Sequence, residues 1–258
     1  MMKIDILTLF PEFFDNFLKT SIIKRAHAKK VVKVAITNIR DFTTDKHKRV
    51  DDYGFGGGAG LVMKVQPIFD ALKQVKKGGA YVVMTSPRGI PLTQKLVKEL
   101  KTKKQLIIIC GHYEGIDERV LNKVDLEVST GDYILTGGEI PAMVITDAVT
   151  RLLAGAITKE SLDEESFENG LLEYPQYTQP REYNRLKVPE ILFSGNHKAI
   201  KRWRLKESLR KTQLNRPDLL KLRPIDKLEL ELLQELSQDQ RLTTAEQKVI
   251  TKAKKFTK

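Results

Sequence analysis

The 258-residue sequence predicts an α/β fold: a mostly parallel sheet covered by helices on both faces, followed by a smaller helical domain. Three observations carry this. Short runs rich in Val and Ile alternate with amphipathic helical patterns over residues 1–156. The alternation stops at an acidic stretch without period, residues 157–170, which reads as a flexible linker. From 171 to 258 the periodic segments are all helical. A sheet fed by crossover helices buries both its faces, so this alternation points to a sandwiched parallel sheet.

The strand candidates are "KIDILTLF" (3–10), "KVAITNI" (33–39), "AYVVMTS" (80–86), "QLIIIC" (105–110) and "DLEVST" (125–130). Each is short, β-branched and bounded by turn residues. Between them lie helical patterns. Residues 11–29 place Phe14, Phe17, Leu18, Ile22 and Ala26 on one stripe. Residues 67–76 open with Pro67, and 91–101 open with Pro91, as helices often do. Pro141 opens a further helix that runs to about Leu153. In the last part, "HKAIKRWRLKESLRKTQLNRPDLL" and "DKLELELLQELS" read as helices.

The chain carries 45 basic and 33 acidic residues, a net charge of +12. Residues 1–155 hold 24 basic and 17 acidic side chains, and 156–258 hold the remaining 21 and 16, so neither part is a mere basic tail. Such a surface attracts polyanions and favours a nucleic-acid partner. No apolar run is long enough to cross a membrane, and "MMKIDILTLFPEFF" reads as a strand and turn, not a signal peptide. One cysteine, Cys110, forms no intrachain disulfide, which fits a reducing, cytoplasmic setting. His27, His47, His112 and His197 are scattered, so no metal centre is expected.

Chemistry concentrates in glycine-bearing loops. "SPRG" (86–89), "CGHYEGIDER" (110–119) and "TGDYILTGGEIPA" (130–142) each follow a strand. In open α/β sheets ligands bind beyond the carboxyl ends of strands, and glycines there let a ligand touch the backbone. Three such loops predict one shared pocket. "GFGGGAG" (54–60) lacks the context of a dinucleotide fingerprint, because no strand is predicted before it. It reads equally as a plain surface loop or as a phosphate loop flanked by Lys46, Lys48 and Arg49. Lys198, Arg202, Lys206 and Arg210 recur every four residues, either a solvated helix face or a track for RNA phosphates. Asp163, Glu164, Glu165 and Glu168 form an acidic run that is out of place near a polyanion unless one carboxylate has a task.

Six blocks now stand in order: "LTLFPEFF", "DDYGFGGGAGLVMKVQP", "CGHYEGIDERV", "GDYILTGGEIPAMVITDAVTRL", "SFENGLLEYPQYTQP" and "SGNHKAIKRWR". Together they resemble the bacterial tRNA (guanine-N1-)-methyltransferases that modify guanosine 37, beside the anticodon. The resemblance runs from residue 1 to about 222. It implies the SPOUT methyltransferase fold with a deep trefoil knot, a small C-terminal helical domain that binds tRNA, and a homodimer with active sites at the subunit interface. The implied cofactor is S-adenosyl-L-methionine; Mg²⁺ enters as an ion that tRNA often carries.

By the same resemblance, the cofactor pocket is built from Met84, Thr85, Ser86 and Pro87, then Gly111, Tyr113, Glu114 and Gly115, and the loop Thr130, Gly131, Asp132, Tyr133, Ile134, Leu135, Gly137, Gly138 and Pro141. Backbone groups at Ile134 and Leu135 are expected to meet the adenine edge, with Gly137 and Gly138 leaving room for the ligand. Arg151 assists at the guanine. The family's base is an Asp before Ser-Phe in the linker; here Glu165 precedes Ser166 and Phe167, with Asp163 the competing carboxylate. Gln179 stands where the family commonly has Arg, and Ala59 where it commonly has Pro. The alternatives weighed beside this are a SPOUT ribose 2′-O-methyltransferase, which has no need of a base at guanine N1, and a catalytically inactive RNA-binding relative.

Overall fold

The computed structural model describes residues 1–158 and 164–238. Contacts divide the chain into two compact units, Met1–Lys159 and Glu160–Lys258. In the first unit the strands are β1 (Met2–Thr8), β2 (Val32–Asn38), β3 (Asp51–Tyr53), β4 (Leu61–Met63), β5 (Tyr81–Pro91), β6 (Gln105–Ile109) and β7 (Leu126–Ser129). Its helices are α1 (Asp15–Leu18), α2 (Ser21–Ala28), α3 (Val65–Val75), α4 (Gln94–Leu100) and α5 (Glu139–Arg151). The second unit holds the short hairpin β8 (Glu182–Tyr183) and β9 (Leu186–Lys187), then α6 (His197–Asn215), α7 (Pro217–Lys221) and α8 (Lys227–Gln238).

A five-stranded parallel sheet in the order β2-β1-β6-β5-β7 is the frame of the first unit. The unbroken run Gln105–Ile109 is buried along its whole length, as a strand covered on both faces must be. Side chains alternate across the sheet. Leu7, Val82, Met84, Ile107 and Ile109 share one core with Ile68, Ala71 and Leu72 of α3. Ile4, Ile6, Leu106 and Ile108 are equally buried on the other face, where α5 packs with β1, α2 and α4. Each such side chain contributes about 1.5–3 kcal/mol by leaving water.

One polar knot interrupts the apolar layer at the start of the strands. Asp5 is almost fully buried; Lys3 Nζ lies 2.8 Å from one oxygen and Gln105 Nε2 donates to the other at 2.7 Å. Gln105 also donates to the Val75 carbonyl at 2.9 Å and accepts from the Lys77 amide at 3.0 Å. Gln105→Ala therefore strips a charge-assisted bond and two backbone bonds at once. It is expected to lower stability by about 1.5–3 kcal/mol in urea unfolding; an unchanged midpoint would contradict this accounting.

Several expectations are corrected. The stripe over 11–29 is not one helix: Pro11–Phe14 is a 3-10 turn, α1 ends at Leu18, and Ser21 sits at φ 49°. The break re-aims the chain so that Ile23, not Ile22, is buried with Phe14 and Ala26. Pro91 ends β5 and does not open a helix; α4 begins at Gln94, with the Thr93 hydroxyl accepting from the Leu96 amide at 3.3 Å. A strand, β3, does precede "GFGGGAG", which is the turn of the antiparallel β3–β4 hairpin. The helix placed at Pro141 starts two residues earlier, at Glu139, and the proline sits in its first turn where no amide is needed.

In the second unit, Leu171, Leu209 and Leu232 form a core with Leu205, Leu220, Leu233 and Leu236 around them. The expected linker 157–170 falls partly outside the described residues, and Asp163 with it. Its last part, 164–170, is a set of turns belonging to this unit.

Candidate functional site

The three strand-end loops meet. "SPRG" is not beyond β5 but inside it: the register with β7 slips between Thr85 and Ile90, so Ser86–Gly89 form a bulge. Gly89 is obligatory there, since a Cβ would stand 2.4 Å from the Val128 nitrogen. After β6 the chain turns through Tyr113 (φ 60°) and Gly115 (φ 146°). The β3–β4 hairpin backs this turn: Glu114 N donates to Leu61 O at 3.1 Å, and Met63 N to Gly115 O at 2.9 Å. After β7, Ser129 Oγ accepts from the Gly131 amide at 3.2 Å, and the Tyr133 hydroxyl donates to Thr130 O at 3.2 Å. The loop then returns to β6, where Gly138 N donates to Gly111 O at 2.7 Å.

Between the loops lies a cavity of about 490 Å³, within the ordinary range for a small-molecule site. Every residue expected at the cofactor lines it except Asp132. The backbone amides of Ile134 and Leu135 make no hydrogen bond to another backbone group among the described residues. Ile134 is 81% exposed and Tyr133 55%.

Gly137 and Gly138 have a packing reason beside the one expected. Besides lining the cavity, they let the loop pack onto the sheet. A Cβ on Gly138 would lie 2.1 Å from Thr85 Oγ1 and 2.7 Å from the Gly111 nitrogen. One on Gly137 would lie 2.4 Å from Glu139 Oε2 and 2.5 Å from His112 Nδ1.

Sequence reasoning missed the group beneath this loop. Glu139 is 3% exposed and accepts from the Thr8 hydroxyl at 2.8 Å. His112 Nδ1 is 3.8 Å from its other oxygen, and the imidazole packs on Phe10 with ring centroids 4.8 Å apart. Nothing in the spacing of Thr8, His112 and Glu139 signals that three elements converge. Cys110 is buried beside them; burial pushes its thiol up, and the Glu139 charge adds to that. Arg88 and Glu118, 3.1 Å apart, also line the cavity and were not foreseen.

The remaining candidates are distributed over both units. Arg151, half-buried, is the last residue of α5 in the first unit. Glu165, also half-buried, lies in the 164–170 turns of the second. Lys46, Lys48 and Arg49 are exposed on the segment before β3. The Arg49 guanidinium, with backbone amides of His47 and Arg49, holds the Asp45 carboxyl at about 2, so that pair is lost only at strongly acid pH. The basic stripe on α6 is not a uniform exposed face. Lys198 is exposed, but Arg202 and Lys206 both reach Glu235, at 2.5 and 3.3 Å, and Arg210 pairs with Glu207. Lys206 and Arg210 are half-buried. A second cavity, of about 1060 Å³, lies within this unit and is lined by Glu165, Tyr174, Tyr177, Trp203 and Arg204 among others. Among the described residues no three His, Cys, Asp or Glu side chains cluster as metal ligands, and no helix is long and apolar enough to cross a membrane.

Comparison with known proteins identifies the family. The family described as tRNA (Guanine-1)-methyltransferase TrmD matches residues 2–222. A protein of Dictyoglomus turgidum named tRNA (guanine-N(1)-)-methyltransferase is 53% identical over 242 residues, covering 93% of this chain and 99% of that protein. Its namesake in Fusobacterium nucleatum is 55% identical over 240 residues, 93% of this chain and all of that protein. That of Carboxydothermus hydrogenoformans is 56% identical over 234 residues, 90% and 92% of the two chains. With most of its length matched in each case, the chain belongs to the tRNA (Guanine-1)-methyltransferase family.

Proposed function

We propose that this protein methylates N1 of guanosine 37 in tRNA with S-adenosyl-L-methionine, giving N1-methylguanosine and S-adenosylhomocysteine. The observation that carries the reading is the cavity in which three glycine-bearing loops converge on an open backbone edge at Ile134 and Leu135. Backbone groups on that edge can donate to and accept from an adenine ring, and Tyr133, Leu135 and Pro141 supply apolar walls for it. The group therefore fits the residues present. When bound, it supplies a methyl already activated on a positively charged sulfur. The protein's part is to hold that methyl in line with guanine N1 and to remove a proton. Glu165 accepts the N1 proton as the new N1–carbon bond forms, and Arg151 orients the guanine.

The 130–138 loop is read, by family resemblance, as the threaded loop of a SPOUT knot, and Gly138 seats it against Cys110, Gly111 and Thr85. Ile140 and Val144, 47% and 44% exposed and one turn apart on α5, together with Ile134, offer an apolar surface suited to the second copy of a homodimer. The first unit is the methyltransferase domain and the second the tRNA-binding domain. The setting is the cytoplasm, and Mg²⁺ arrives with the tRNA.

The direct test is methyl transfer to unmodified tRNA with the product nucleoside identified by mass spectrometry. N1-methylguanosine at position 37 is expected; a ribose-methylated nucleoside, or no product, overturns the reading. For RNA contact, Lys198→Ala is expected to lower the log–log salt slope of tRNA binding by about 0.7–0.9. Arg202→Ala and Lys206→Ala should lower it less, because Glu235 already neutralises part of their charge. Equal slopes for all three variants would count against this ranking.

A further inference from the structure

The proposed base is not on a loose tether. The segment 164–172 is held at four points, two within its own turns and two to α6 of the second unit. Leu171 is buried in that unit's core, and the Leu172 amide donates at 2.8 Å to the hydroxyl of Thr212, which is fully buried on α6. Ser166 Oγ accepts from the Glu173 amide at 3.0 Å. Phe167 N donates to Leu171 O at 2.8 Å, with Phe167 at φ 75° and Gly170 at φ 70° closing the turn. The fourth point adjoins Glu165 directly: the Glu164 carboxylate accepts from the Tyr174 hydroxyl and lies 3.4 Å from Arg204 Nη1. The Arg204 guanidinium stacks 4.6 Å above the Tyr174 ring, so the two partners of Glu164 brace one another.

We propose that Tyr174 and Arg204 are positioning residues for the methyl transfer: by clamping Glu164 they fix the backbone at Glu165, and with it the direction of the base. This rests on the reading of Glu165 as base. Burial, and then the bond to Glu164, raise the Tyr174 phenol above its usual range, so it remains a donor through neutral pH. A carboxylate whose neighbour is held by two partners at one oxygen samples fewer directions. A base must lie within hydrogen-bond reach of the proton that it takes, so a change of about 1 Å in its seat costs up to about 10²-fold in rate.

Tyr174→Phe removes one hydroxyl and keeps the ring. Single-turnover methylation is expected to slow by roughly 10–10²-fold, with tRNA affinity, cofactor affinity and melting temperature at wild-type values. In a Glu165→Gln background the same change should cost nothing more, because there is no base left to aim. Full-rate methylation by Tyr174→Phe, beside a slow Glu165→Gln, removes the clamp and leaves the base. Losses that multiply in the double variant show Tyr174 acting on the fold instead, and equally overturn the proposal. Glu165→Gln at full rate removes the base reading and the clamp together. Should Tyr174→Phe lower the melting temperature, Glu164→Gln, which keeps the shape and drops the charge, repeats each comparison.

Discussion

Glu165→Gln is expected to slow single-turnover methylation by roughly 10²–10⁴-fold. The substitution keeps the shape of the side chain and removes its basicity. Guanine N1 holds a proton that must leave as the methyl arrives, and no step of that exchange is helped by an amide. Cofactor affinity should stay at the wild-type value, since Glu165 and the cofactor cavity belong to different units. Glu165→Asp should retain substantial activity: the two carboxyls have similar basicity, about 4.3 and 3.9, and differ by one methylene of reach. The competing carboxylate is Asp163, two residues earlier. If Glu165→Gln methylates near the wild-type rate while Asp163→Asn is dead, the proton goes to Asp163.

Gly138→Ala should cost about 1–3 kcal/mol of stability and abolish measurable cofactor binding in calorimetric titration. The new methyl group would start 2.1 Å from Thr85 Oγ1 and 2.8 Å from the Cys110 Cα, and two of its three nearest neighbours are backbone atoms that cannot swing aside. Relief requires the 130–138 loop to lift from β6, breaking the 2.7 Å bond from Gly138 N to Gly111 O. Gly111→Ala is the control. Its Cβ would meet ordinary contacts, the nearest at 3.6 Å, so the fold should be unchanged. Should Gly138→Ala bind cofactor normally, the close approach of loop to sheet is not what shapes the cavity.

The sheet was legible because β-branched runs are local facts: Gln105–Ile109 must be covered on both faces wherever it lies. So was the cavity wall, since three glycine-bearing loops belong to strands of one sheet, although their glycines also serve the packing of loop on sheet. Three things were not legible. The kink at Ser21 depends on one residue taking a positive φ, which no periodicity encodes. The Thr8–Glu139–His112 group joins residues up to 131 positions apart, and only the folded sheet brings them within reach. The α6 stripe looked uniform because spacing along one helix says nothing of Glu235 on another, which engages two of its four cations. Family resemblance supplied what local physics does not contain, above all the roles proposed for Arg151 and Glu165.

The burial of Cys110 has a practical side. Only the thiolate reacts with maleimides and iodoacetamides, and a thiol both enclosed and pushed up in pKa offers almost none of it at neutral pH. The wild-type chain is thus expected to be silent to thiol labels while folded. A single cysteine introduced at an exposed site such as Lys198 becomes the one reactive handle, ready for a fluorophore or spin label, with the native cysteine left in place. Labelling at Cys110 itself would then report unfolding, at the rate at which the core opens.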